Sequence, residues 1–279
     1  MNFTSYAQSH RGIVRKLNED ACIELPEYNL WVVADGMGGH EAGDVASQMV
    51  IDTIKSSMDA LGHQQPQCED VLKAIHKANH LLFSYSRLHL DGKTAGSTVV
   101  ALFIDQDKYY FMWVGDSRGY LIRQNHLEQK TRDHSQVNDL IDEGVIREDE
   151  AENHPLSNVI TRAVGVIPEV EISIVEGDLN PNDMFLLCSD GLTGEMSDAE
   201  IERVLQPQKI IDGGMALMHS ALVRGAKDNV TCIIVKNKGF QNMGVSDMNE
   251  TTRTPIREFG ATQHDVDTTV PILTRDHFN

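Results

Sequence analysis

Cysteine is scarce in this sequence, and it is not arranged for covalent or metal work. Cys22, Cys68, Cys188 and Cys232 are the only four in 279 residues, and no two form a C-x-x-C pair. A chain this long folds without covalent staples, so the pattern predicts reduced thiols and a cytoplasmic protein. No apolar run approaches the roughly 20 residues that a membrane helix needs, and residues 1–11 are polar, without the apolar heart of a signal peptide. Basic residues are outnumbered, 24 Lys and Arg against 42 Asp and Glu, for a net charge of −18. That balance argues against nucleic acid and membranes as partners. It also sets a difficulty, because a phosphate-bearing substrate would be repelled unless cations stood in between.

What is present suits a packed core: hydrophobic residues make up 41% of the chain. There are no internal repeats. Strand signals open the chain at 3–9, 21–25 and 30–34, the last a buried-type run, LWVVA. Residues 42–61 and 69–89 carry apolar positions at helical spacing. Strands resume at 97–104, 109–114, 120–123 and 126–129, which read as two hairpins. Residues 135–155 are polar, acidic and weakly helical. Further strands are expected at 170–176, 184–188 and 230–235, and helices at 198–205 and 210–224. Residues 237–279 have no hydrophobic period and read as a flexible C-terminal tail. Segregated runs of strands and helix pairs imply an α+β fold with antiparallel sheets, not alternating βαβ units.

The positions of the aspartates carry the chemistry. Asp35 follows LWVVA, Asp116 follows YYFMWVG, Asp190 follows MFLLCS, and Asp228 precedes VTCIIV. Charges at core edges are costly unless paired or bound to metal. These strands contain no Lys or Arg to pair with them. A cluster of carboxylates around hard divalent cations is the economical answer, and oxygen ligands favour Mg²⁺ or Mn²⁺ over zinc. On spacing alone, four unrelated turn or cap aspartates explain the pattern equally well.

The local sequences decide between these. In order come Arg15-Lys16-Leu17-Asn18-Glu19-Asp20, Asp35-Gly36-Met37-Gly38-Gly39-His40, Gly96-Ser97-Thr98, Val114-Gly115-Asp116-Ser117-Arg118, Thr131-x-Asp133-His134-Ser135, Ser189-Asp190-Gly191-Leu192 and Asp228-Asn229-Val230-Thr231. Together they closely resemble the metal-dependent protein phosphatase family, the type-2C serine/threonine phosphatases, in its bacterial form. The resemblance spans residues 3–236. It implies a four-layer α-β-β-α sandwich with two central antiparallel sheets and a catalytic domain over 1–236, in which 136–166 forms a flap-like surface segment. It implies that Asp35 bridges two metal ions, that the Gly36 carbonyl ligates one, and that Asp190 and Asp228 hold the other. Glu19 and Asp20 reach the metals through waters, Asp116 serves a third ion, and Arg15 grips the phosphate.

The implied reaction is hydrolysis of phosphoserine and phosphothreonine by a metal-bridging water or hydroxide, without a phospho-enzyme. In keeping with this, neither Cys68 nor Cys188 is followed by the Arg of a Cys-x5-Arg loop. Many eukaryotic members carry a His directly after the Asp-Gly; here that place is Met37. His40 is the nearest replacement as general acid, against a capping role at the following helix, and a metal-bound water is a further candidate. Two other readings stay open at this stage: a pseudophosphatase that binds phosphoproteins, and a phosphatase of a small phosphometabolite.

Other residues read as structural. His76 and His80 sit on a solvated helix face, Met215 and Met218 fill core, Trp31 and Trp113 lie in core strands, and Cys188 and Cys232 are inert. His134 fits its motif without a catalytic role, and Arg118 and Arg162 pair with carboxylates. The acids Asp142, Glu143, Glu148, Asp149, Glu150 and Glu152 make the flap acidic, favouring basic or neutral phosphopeptides. The expected partners are phosphorylated proteins and a cognate Ser/Thr kinase, with the enzyme a monomer. The tail threonines, Thr251, Thr252, Thr254, Thr262, Thr268, Thr269 and Thr274, are either a plain solvated extension or an arm for a phosphothreonine-binding protein.

Overall fold

The computed structural model describes residues 3–38, 42–90, 93–151, 154–157, 159–206 and 209–239. His40, Glu152 and the tail threonines lie outside them. The chain divides into a compact unit Met1–Gln241 and a second unit Asn242–Asn279, the latter wholly outside the described residues.

Within the first unit the strands are β1 Phe3–His10, β2 Asp20–Leu25, β3 Leu30–Gly38, β4 Ala95–Ser97, β5 Val99–Asp105, β6 Lys108–Val114, β7 Arg118–Arg123, β8 His126–Gln129, β9 Ser173–Asp178, β10 Met184–Cys188 and β11 Val230–Asn237. The helices are α1 Gly43–Asp59, α2 Cys68–His89, α3 Gln136–Asp142, α4 Glu148–Ala151, α5 Asp190–Thr193, α6 Asp198–Val204 and α7 Ile210–Val223. One sheet runs β1-β11-β10-β7-β8; the other runs β2-β3-β5-β6-β9, with β4 paired to β3. All pairings are antiparallel.

The continuous apolar runs are explained by strands buried on both faces. In β3, Leu30, Val32 and Ala34 pack towards α1 and α2, while Trp31 and Val33 enter the space between the sheets. In β10, Phe185 and Leu187 join that inter-sheet core, while Leu186 and Cys188 face the layer of α5, α6 and α7. Alternation with period two therefore fills three cores at once and produces the expected four layers. Aromatic rings dominate the middle one, with Tyr109, Phe111 and Phe185 in mutual edge or tilted contact.

Several expectations shift in detail. The strand read at 97–104 breaks at Thr98, whose hydroxyl and N–H both bond to the Asp35 backbone. The strand read at 170–176 starts at Ser173, where pairing with Trp113 begins. Strand β11 runs through Asn237, the first residue assigned to the tail, because its backbone and side chain tie to Asn180, Asn182 and Asp183. Gln124 and Asn125 both have positive φ, the conformation of a type I′ hairpin turn. Met218 is buried, but Met215 is exposed and fills no core. His76 and His80 are exposed, and Trp31 and Trp113 are buried. Burial pushes the Cys188 thiol up, and that of Cys232 up to about 12, so both are inert. No helix among the described residues is long and apolar enough to cross a membrane.

His134 joins the β6 end to β9. Its Nδ1 accepts from the Gly115 N–H (3.1 Å), its Nε2 lies 2.9 Å from Ser173 Oγ, and its ring stacks on Trp113. Burial, and then the Arg162 charge, push the imidazole down to about 4.

Two outcomes are expected. Phe185→Ala removes the ring at the centre of the inter-sheet core and should cost about 3–5 kcal/mol in urea unfolding. His134 is neutral in the fold and protonates more readily when unfolded, so the stability it contributes is present above about pH 6.5 and is lost as pH falls towards 4. Thermal melts of His134→Gln across pH 7.5 to 4 should show a shallower fall than those of the parent protein.

Candidate active site

The rigid strands deliver acidic side chains to one end of the sandwich. Asp20 and Asp35 are cross-strand partners where β2 meets β3. The Asp35 backbone is held on both sides: its N–H donates to Thr98 Oγ1 (3.0 Å), and its carbonyl accepts from the Thr98 N–H (2.8 Å) and Ser97 Oγ (3.0 Å). Thr98 Oγ1 in turn lies 2.7 Å from Ser117 Oγ, beside Asp116. Asp190 opens α5, two residues beyond the end of β10. The residue between them, Ser189, donates from Oγ to Asp20 Oδ2 (2.8 Å) and accepts from the Thr231 N–H (3.0 Å). That hydroxyl spans the two sheets. No side chain is possible at Gly36, where a Cβ would lie 1.9 Å from the Gly43 carbonyl oxygen.

Electrostatically, this is a crowd of like charges. Burial, and then Asp20, Asp190, Asp116 and Asp228, hold the Asp35 carboxyl well above its ordinary range. Burial, with Asp190 and Asp228 nearby, pushes Asp20 up to about 7 despite hydrogen bonds from Thr231 and Ser189. Burial, and then Asp190 and Asp133, push Asp116 up to about 7. Asp190 is raised by burial and by Asp228, with Asp35 in hydrogen-bonding reach and opposing the rise. Burial also raises Glu19. The structure therefore links Asp20, Asp35, Asp116, Asp190 and Asp228 in one chain of repulsions, with Glu19 joined to it through Asp228.

Two buried carboxylate oxygens, Asp20 Oδ1 and Asp190 Oδ1, have no hydrogen-bond partner. Such atoms are costly in a folded protein. A carboxylate-rich set with orphaned oxygens fits a hard divalent cation and favours Mg²⁺ or Mn²⁺ over zinc. Among the described residues, no three carboxylates, imidazoles or thiols converge as a finished ligand set. Asp228 has both oxygens engaged elsewhere, Oδ1 by the Asn229 N–H (2.8 Å) and Oδ2 by Arg15 (2.7 Å).

Arg15 is thus found on Asp228 and supplies from a loop the cation that the apolar run VTCIIV lacks. Both side chains are 40–50% exposed, at 49% and 41%, so the pair is worth at most about 1 kcal/mol. Arg118 chelates Asp133 through Nε and Nη2, and Arg162 meets Glu171 at 3.1 Å, so both pair with carboxylates.

A cavity of about 1010 Å³ opens beside Asp116 and Asp190 and reaches Val137, Asn138 and Glu148 of the flap segment. Arg132 pairs with Asp142, and Arg147 with Asp149 and Glu150.

Sequence reasoning assigned no role to Asn229, Ser189 or Thr98, although each lies inside a quoted motif. Their partners are 210, 169 and 63 positions away, a distance that only folding closes.

Comparison with known proteins agrees with this geometry. The family model "Protein phosphatase 2C" matches residues 8–211. Serine/threonine phosphatase Stp of Listeria innocua is 34% identical over 242 residues, covering 84% of this chain and 96% of its own. The crystal structure of Mycobacterium tuberculosis PstP/Ppp superposes with a TM-score of 0.78 at 34% identity, covering 85% of this chain and 99% of that one. The PstP catalytic domain in complex with two manganese ions gives a TM-score of 0.74 at 34% identity, covering 84% and 97%. Acidic strand ends, a two-sheet sandwich and a family match over most of the length lead to one conclusion: this chain belongs to the protein phosphatase 2C family.

Proposed function

We propose that the chain is a metal-dependent serine/threonine protein phosphatase that hydrolyses phosphoserine and phosphothreonine in proteins by direct attack of water, with no phospho-enzyme. The observation that carries this is the buried carboxylate crowd, with orphaned oxygens on Asp20 and Asp190, lying next to an exchangeable Arg15. Asp35, the Gly36 carbonyl, Asp190 and Asp228 would hold the two core ions, with Glu19 and Asp20 around them and Asp116 at a third. Mg²⁺ or Mn²⁺, when bound, neutralises charge on the phosphate and lowers the pKa of water.

The chain's own residues do the rest. Arg15 leaves Asp228 and forks onto the phosphate oxygens, fixing the ester for in-line attack. The Thr98 and Ser97 hydroxyls hold the Asp35 backbone, and Thr98 Oγ1 links it to the hydroxyl of Ser117, the neighbour of Asp116. The cavity at the flap admits the polypeptide on either side of the phosphorylated residue. A catalytic domain that runs through Asn237, with the residues beyond β11 as its tail, belongs to the same reading. So do action as a monomer, a cognate Ser/Thr kinase as the source of the phosphoryl group, and the tail as an arm for a phosphothreonine-binding protein.

Hydrolysis of p-nitrophenyl phosphate and of a phosphothreonine peptide should require Mn²⁺ or Mg²⁺ and vanish with EDTA. Asp35→Asn and Asp190→Asn should each lower kcat on the order of 100-fold or more, since even outer-shell losses at metal sites reach that scale. A folded, metal-loaded protein inert on both substrates would point to a binding role, and activity confined to small phosphometabolites would exclude protein substrates. Arg15→Ala should raise KM for the phosphopeptide by about 10- to 100-fold, the value of one charge-assisted contact, in steady-state assays.

A further inference from the structure

The loop 11–19 between β1 and β2 carries Arg15 at its apex, and that apex is not held by packing. Ile13, Val14 and Leu17 are 60%, 65% and 45% exposed. Its position must come from hydrogen bonds at its base. One side chain supplies three of them, beside Gly12 N–H to His10 Nδ1 (3.1 Å), Asn18 Nδ2 to Ser9 Oγ (2.8 Å) and Gly36 N–H to the Glu19 carbonyl (3.0 Å). Asn229, only 3% exposed, donates from Nδ2 to the Arg11 carbonyl (2.9 Å) and to the Leu17 carbonyl (2.9 Å). Its Oδ1 accepts from the Glu19 N–H (2.7 Å). The start, the descending limb and the end of the loop thus converge on a single amide. One further bond, Ile13 N–H to the Ala226 carbonyl (2.9 Å), ties the loop to the same segment.

We infer that Asn229 is the positioning residue for Arg15, clamping the loop so that the guanidinium stands over the site when it leaves Asp228 for a phosphate. The inference rests on the phosphatase reading and adds to it. The Arg15–Asp228 ion pair cannot serve as the tether, because it is exposed and must break when phosphate is gripped. The amide of Asn229 touches neither phosphate nor the reacting atoms, and it stays bonded throughout. It is also specific in type. Aspartate would keep the acceptor for Glu19 but would face the Arg11 and Leu17 carbonyls with an oxygen in place of the N–H donors.

The test is a double-mutant cycle on the full chain at saturating Mn²⁺, reading KM for a phosphothreonine peptide. Arg15→Ala should raise KM about tenfold or more in the parent background and less than about threefold in Asn229→Ala, because the arginine is already misplaced there. Amide hydrogen exchange, read without substrate, should speed at Ile13 and Glu19 about tenfold in Asn229→Ala, with the strands unchanged. An undiminished Arg15→Ala effect in Asn229→Ala, or exchange accelerated evenly through the chain, would overturn the inference. Should Asn229→Ala not fold, Gly12→Ala displaces the same loop base, since φ is +74° and a Cβ would lie 2.1 Å from the Asp228 carbonyl oxygen. It should likewise shrink the Arg15 effect, and a full effect there counts against the clamp. Absence of any Arg15→Ala effect in the parent protein would remove the phosphate role of Arg15 itself. Its presence without dependence on residue 229 removes the clamp alone.

Discussion

Everything in this molecule answers to the repulsion among carboxylates gathered at one end of a dry, two-sheet core. Asp20, Asp35, Asp116, Asp190 and Asp228 each raise the cost of ionising another. Such a group is tolerable only on a scaffold stiff enough not to spread. The strands beneath are buried on both faces, and their ends are fastened by Ser97, Thr98, Ser117 and Ser189. The arrangement stores affinity for divalent cations in the fold, and it reconciles a strongly acidic chain with a dianionic substrate.

The division of labour follows chain position. Strand ends carry the acids, where backbone hydrogen bonding limits movement. Loop 11–19 carries the arginine, which rests on Asp228 in an exposed ion pair. The flap segment, held to the body by Ser135–Ile160 pairing and by Arg132–Asp142, borders the cavity without contributing to the acidic group. Rigid and exchangeable parts are thereby kept on different elements.

Much of this was legible in the residues. Runs such as LWVVA and VTCIIV read as strands buried on both sides, and the aspartates at their ends gained meaning from the motifs around them. Seven ordered motifs then named the family. What was illegible depends on long-range contact. Thr98 breaks a strand that looked continuous, because its hydroxyl serves Asp35 and not the ladder. Arg15 sits on Asp228, a pairing across 213 positions. Met215 has the helical spacing of a core residue yet points to solvent, since α7 packs through Leu217, Met218 and Ala221. Asn229 looked like a neighbour of a ligand, and its amide proved to gather three points of a distant loop.

The hydroxyl of Ser189 has a mechanical consequence. It is bonded simultaneously to a residue of each sheet, Asp20 on one side and Thr231 on the other. Any sliding of one layer over the other is therefore felt first at the acidic rim. Crowding or loosening the rings of Tyr109, Phe111 and Phe185, remote from the chemistry, would retune the spacing of the acids before it unfolded the protein.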